Sequence, residues 1–200
     1  MSHYSVDRYT IMGINYIIHT SLQLLRIFNS YQTNSTTVST ITGIYVRIWS
    51  GKPGVAGSTV LWGNMSTNCL GSTSFANVYR VLAVNGGVSR PCMKVVANTP
   101  GLILNAGSYW AEWFCTGSLA SGPWVPPVVT ANKVTGNAIQ STNAGASYYD
   151  VLYNNFTQGF PFVVDGTEII NPFMIIQNIT IPYGQTNCYK FSPNAKYRII

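Results

Sequence analysis

The chain has 200 residues, a length that fits one domain and suffices to bury a core. Only 8% of its residues are charged, against roughly 25% in an ordinary soluble domain, so long helices with salt-bridged faces are not expected. With 46% hydrophobic and 13% aromatic residues it has apolar surface to hide, which argues against intrinsic disorder; its net charge of +6 is scattered without the basic cluster that phosphate binding needs, which argues against a nucleic-acid partner.

The first forty residues are ambiguous, because Ile14, Ile17, Ile18, Leu22, Leu24, Leu25 and Phe28 fit helical and alternating spacing about equally. In β surroundings they predict strands over 11–18 and 24–31 that complete the fold. The apolar stretch 11–28 is interrupted by Asn15, His19, Gln23 and Arg26, so it reads neither as a membrane span nor as a secretory signal; an export signal is expected to lie outside this chain.

From Thr40 the pattern is plainly β. Ile44, Val46 and Ile48 alternate with Tyr45, Arg47 and Trp49, which sends aliphatics to one face and mostly aromatics to the other. The turn Ser50-Gly51-Lys52-Pro53-Gly54 ends this run, and strands are predicted at 58–62, 74–81, 91–97, 102–104 and 109–114. Gly117 to Thr130, with three prolines, reads as an extended surface loop. Strand character returns at 137–140, 147–153 and 159–164, and once more at 174–181. Short strands separated by Gly, Pro and Asn, with no helical periods between them, predict an all-β fold of antiparallel strands in a two-sheet sandwich, immunoglobulin-like or jelly-roll-like. The predicted organisation is an N-terminal segment 1–30, a sandwich domain 31–166, and a C-terminal strand and tail 167–200.

Several phrases in this order resemble a β-sandwich repeat of large secreted and cell-surface proteins of Bacteroidota-type bacteria, which often carry a type IX sorting signal. They are Ile44-Tyr45-Val46-Arg47-Ile48-Trp49, Val60-Leu61-Trp62-Gly63, Arg90-Pro91-Cys92-Met93-Lys94-Val95, Gly107-Ser108-Tyr109-Trp110, Ser121-Gly122-Pro123-Trp124-Val125-Pro126-Pro127 and Gln158-Gly159-Phe160-Pro161-Phe162. The resemblance covers about residues 31–166; the segments before and after it depart from the pattern. It implies an exported, extracellular or surface-attached, non-catalytic module, and brings no set of functional residues with it.

The chemistry-bearing residues are few. Two histidines, His3 and His19, and five carboxylates, Asp7, Glu112, Asp150, Asp165 and Glu168, make a poor inventory for catalysis, and no enzyme activity, cofactor or metal is expected. Glu112 between Trp110 and Trp113 invites comparison with a paired-carboxylate glycoside hydrolase using Asp150 or Asp165. Its plainer reading is a solvent-facing strand residue paired with Arg47 or Lys94. Cys69, Cys92, Cys115 and Cys188 have no CxxC spacing; they form either two disulfides in an oxidising compartment or four small buried apolar residues.

Trp124, Trp62, Trp49 and Tyr45 are candidates for a face on which glycan rings stack, with Trp124 in its Pro-rich loop the most exposed. Alternation forbids all the aromatics from sharing one face, and it places Trp110 and Trp113 on opposite sides. Gly107-Ser108-Tyr109 matches a tyrosine corner, whose hydroxyl bonds nearby backbone. The alternating, weakly charged strand around Ile175, Ile176, Ile179 and Ile181 lacks the lysines and prolines that protect a sheet edge, so it is a candidate for pairing with copies of the same chain or with other surface proteins. The sequence thus predicts a structural or adhesive module capable of self-assembly, with glycan binding as the alternative and a hydrolase centred on Glu112 as a weaker one.

Overall fold

The computed structural model describes residues 8–17, 20–31, 34–80 and 87–168. Among them there is no helix, and therefore none long and apolar enough to cross a membrane. The twelve strands are β1 (Arg8–Ile17), β2 (Thr20–Tyr31), β3 (Ile41–Trp49), β4 (Val60–Asn64), β5 (Leu70–Tyr79), β6 (Pro91–Leu104), β7 (Gly107–Gly117), β8 (Ile139–Ser141), β9 (Tyr149–Asp150), β10 (Leu152–Tyr153), β11 (Phe156–Thr157) and β12 (Phe162–Glu168). They form a six-stranded sheet in the order β4-β3-β7-β1-β8-β9, a four-stranded sheet in the order β12-β2-β6-β5, and the small pair β10-β11. Every pairing is antiparallel. The all-β, antiparallel expectation is thus met, including strands at both ambiguous N-terminal runs.

Binary alternation explains β3 directly. Ile44, Val46 and Ile48 are fully or almost fully buried, while Tyr45, Arg47 and Trp49 are half-buried on the other face. In β7 the same phase buries Ala111 and Trp113. One apolar cluster combines these residues with Met93, Val95, Ala97, Leu102 and Leu104 of β6, so it draws on strands of both larger sheets. Trp113 meets Phe160 edge-on at 6.3 Å and lies 6.5 Å from Phe162.

The structure departs from the predicted elements at several places, among them the run 147–153, which is split at Val151 into β9 and β10 in different sheets. The runs 91–97 and 102–104 belong to one strand, β6, which continues through Pro100-Gly101. The register against β2 slips between Leu24↔Asn98 and Leu22↔Leu102, so the extra residues form a bulge, and Gly101 there takes a positive φ of 73°. β5 makes its last pairing at Ala97, so no partner strand on that side needs the missing N–H of Pro100. A further departure is the Pro-rich segment after β7. It forms no strand, as expected, but it is not a surface loop throughout, since Val125 is buried in the main cluster and Pro126 beside it is buried as well.

Candidate functional site

The most connected polar group among the described residues is Glu112. In register it faces Arg47 of β3 on one side and Thr10 of β1 on the other, at the middle of the six-stranded sheet. Its side chain is completely buried. Arg47 donates from Nε at 2.8 Å and from Nη2 at 2.6 Å to Oε2, and Trp49 donates its indole N–H to the same oxygen at 2.9 Å. Tyr148 donates its hydroxyl to Oε1 at 3.0 Å. The Arg47 guanidinium also lies 4.9 Å from the centroid of the Trp49 ring, a cation–π geometry. Tyr148 leans on the turn at Gly54, whose position would bring an added Cβ within 3.2 Å of the tyrosine ring.

The pairing of Glu112 with Arg47 was legible in advance, but its expected solvent exposure is wrong. Alternation correctly put it on the face opposite the apolar core; that face is nevertheless closed off from water at this point, with Tyr148 reaching it from a segment far along the chain. A buried carboxylate is tolerated only when its lone pairs are taken, and four donor contacts take them here.

The partners imagined for a paired-carboxylate site do not converge on Glu112. Asp150 reaches Lys52 at 3.4 Å in an exposed ion pair. Its strand position is separated from Glu112 by the register steps Glu112↔Thr10, Thr10↔Ile139 and Ile139↔Asp150, three interstrand spacings or about 14 Å. Asp165 lies on β12 in the other sheet. Among the described residues no three His, Cys, Asp or Glu side chains gather where they could hold a metal ion.

The predicted aromatic platform is divided. Tyr45 and Trp49 share a face, where their register partners are Phe114 and Trp110, and Tyr45 stacks on Phe114 with centroids 4.4 Å apart. Trp62 faces the other way, because its partner is the core residue Ile48 and its ring packs on the core. Its N–H donates to the Pro100 carbonyl at 3.3 Å. Trp124 is half-buried beside buried Val125 rather than standing out into solvent. The tyrosine corner is present: the Tyr109 hydroxyl donates to the Asn105 carbonyl at 3.0 Å.

Cys69, Cys92 and Cys115 are thiols, so the disulfide alternative is not realised among them; Cys188 lies outside the described residues. Burial pushes the Cys92 and Cys69 thiols above their ordinary value; the charge and backbone of Arg80 offset this partly at Cys92, and a backbone hydrogen bond at Val46 does so at Cys69. The assembly strand with Ile175, Ile176, Ile179 and Ile181 also lies outside the described residues, as do His3, His19 and Asp7.

Two features escaped the sequence reading. Tyr148 carried no signal linking it to Glu112, since the two are brought together only by the course of the chain through β8 and β9. The second is a hollow of about 320 Å³ lined by Leu61, Trp62, Leu102, Ile103 and Tyr109 among others. Alternating hydrophobicity could have flagged Leu61 and Ile103, which are apolar at strand positions that leave them half-exposed. Comparison with protein-family models, with curated proteins and with solved structures gives no match for this chain.

Proposed function

We propose that this chain is a non-enzymatic structural or adhesive module of an exported bacterial surface protein, its two larger sheets lying face to face as a β-sandwich and its terminal strands pairing with copies of itself. The observation that carries the non-catalytic reading is the state of Glu112. A general acid or nucleophile needs access to substrate, whereas this carboxylate is sealed from solvent and occupied by Arg47, Trp49 and Tyr148. Asp150, traced by register at about 14 Å from Glu112, stands beyond the roughly 5–9.5 Å between the two carboxylates that glycoside hydrolysis uses. The sandwich reading is supported by the apolar cluster common to both sheets and by the short β6–β7 connection, which carries the chain from one sheet to the other. The surface setting rests on the sequence resemblance.

The test combines two measurements on the full chain. Chromogenic glycosides are screened with the wild type and with Glu112→Gln, and sedimentation velocity is run at rising concentration with the wild type and with Ile176→Lys/Ile179→Lys. The proposal expects no turnover in either protein, and a concentration-dependent association that the double lysine variant loses. Turnover abolished by Glu112→Gln overturns the non-catalytic reading, and a strict monomer at all concentrations overturns self-association.

A further inference from the structure

We propose that the hollow between Trp62 and Tyr109 binds a single neutral pyranose ring of a glycan. It lies where strand ends of both larger sheets meet: Leu61 and Trp62 come from β4, Gly101 to Leu104 from β6, Asn105 from the corner, and Tyr109 from β7. Its volume of about 320 Å³ falls within the range of small-ligand sites and gives room for one six-membered ring.

Three observations choose the ligand class. None of the lining residues carries a charge, so an ionic ligand finds no counter-charge there. Both aromatic walls are fixed in advance, since the Trp62 N–H is held by the Pro100 carbonyl and the Tyr109 hydroxyl by the Asn105 carbonyl; no ring has to be ordered when a ligand arrives. Finally, the hollow combines apolar and hydrogen-bonding surface. Leu61 and Ile103 leave about half of their surface in water at its rim, at 50% and 55% exposure. Along 102–104 β6 pairs with β2 on one side, while β5, its neighbour on the other side, makes its last pairing at Ala97. Where β5 stops short, sugar hydroxyls would meet the backbone edge of β6. A pyranose matches this combination, with a C–H face to lay on an indole or phenol ring and a rim of hydroxyls for the backbone. The inference stands apart from the structural role, which needs no ligand, and it moves the expected glycan contact from Trp124, Trp49 and Tyr45 to Trp62 with Tyr109.

The experiment is saturation-transfer NMR and tryptophan-fluorescence titration of the full chain. The probes are the methyl pyranosides of glucose, galactose, mannose, xylose and N-acetylglucosamine, with cyclohexanol as a ring of similar size that has one hydroxyl. At least one pyranoside is expected to bind saturably with about millimolar affinity, and more tightly than cyclohexanol. Leu61→Arg, a change at an exposed rim position, is expected to weaken it about tenfold with an unchanged melting temperature, whereas Trp124→Ala leaves it unaltered. The proposal is overturned by no saturable binding of any pyranoside to the folded chain, by tighter binding of cyclohexanol, or by affinity that survives Leu61→Arg.

Discussion

At the scale of single residues, the buried acid makes the sharpest prediction. Removing the carboxylate in Glu112→Ala strands the Arg47 guanidinium and the Trp49 and Tyr148 donors around an empty position, and breaking a buried pair in this way costs about 3–5 kcal/mol. Urea unfolding of Glu112→Ala is expected to show that loss, whereas Arg47→Met/Glu112→Leu, which removes both charges, is expected to be distinctly more stable than Glu112→Ala. Equal stabilities would mean that the charge pair is not what the site depends on. The thiols supply a pH prediction. Because burial raises the folded-state pKa of Cys69 and Cys92 above the ordinary 9.0, protonated thiols are favoured in the fold, and their contribution is fully present below that value. As pH climbs past it the unfolded chain ionises first, so stability falls until the folded pKa is passed. Thermal melts between pH 8 and 11 should show a decline that Cys92→Ala reduces.

At the scale of elements, the junction of β3 with its neighbours depends on two small residues. Asn68 accepts the N–H groups of Ile44 at 3.0 Å and Leu70 at 3.1 Å and donates to the Thr42 carbonyl at 3.1 Å, tying the start of β5 to β3 across the two sheets. Asn68→Ala is expected to cost about 1–3 kcal/mol in denaturant unfolding, an amount set by three hydrogen bonds at a partly solvated site. Gly63, opposite Arg47 in β4, has φ of 80°, and a Cβ there would overlap the Val46 carbonyl oxygen. Backbone rather than a flexible side chain blocks it, so Gly63→Ala should lose at least about 2 kcal/mol and detach β4 first, visible as early amide exchange over 60–64. Elements were also where the sequence was most readable. The phase of β3 and the hydroxyl bond of Tyr109 follow from alternation and from a local motif. The continuity of β6 does not, because Pro100-Gly101 carries the composition of a turn and only the bulge against β2 absorbs it.

At the scale of the whole molecule, the antiparallel all-β character was visible in punctuation and charge scarcity alone, and far-ultraviolet circular dichroism is expected to show β-sheet without a helical component. The site was less visible. The sequence placed Arg47 and Glu112 in the right phase to meet, yet whether a strand residue sees water is decided by what crosses above it, and Tyr148 arrives from 36 positions away. Trp62 does not share the face of Tyr45 and Trp49 with which it was grouped, since its register with Ile48, not its composition, decides the side it takes.

The arrangement around Glu112 also bears on how the chain is made. Arg47 and Trp49 precede the acid, while Tyr148 is translated 36 residues after it, so a chain emerging from its N-terminus holds this carboxylate without its full set of donors until Tyr148 has been made. Nascent chains ending before Tyr148 are therefore expected to be snared by holdase chaperones or degraded, and escape is expected only for chains long enough to include Phe160 and β12 as well, a threshold that stepwise stop-codon variants would locate.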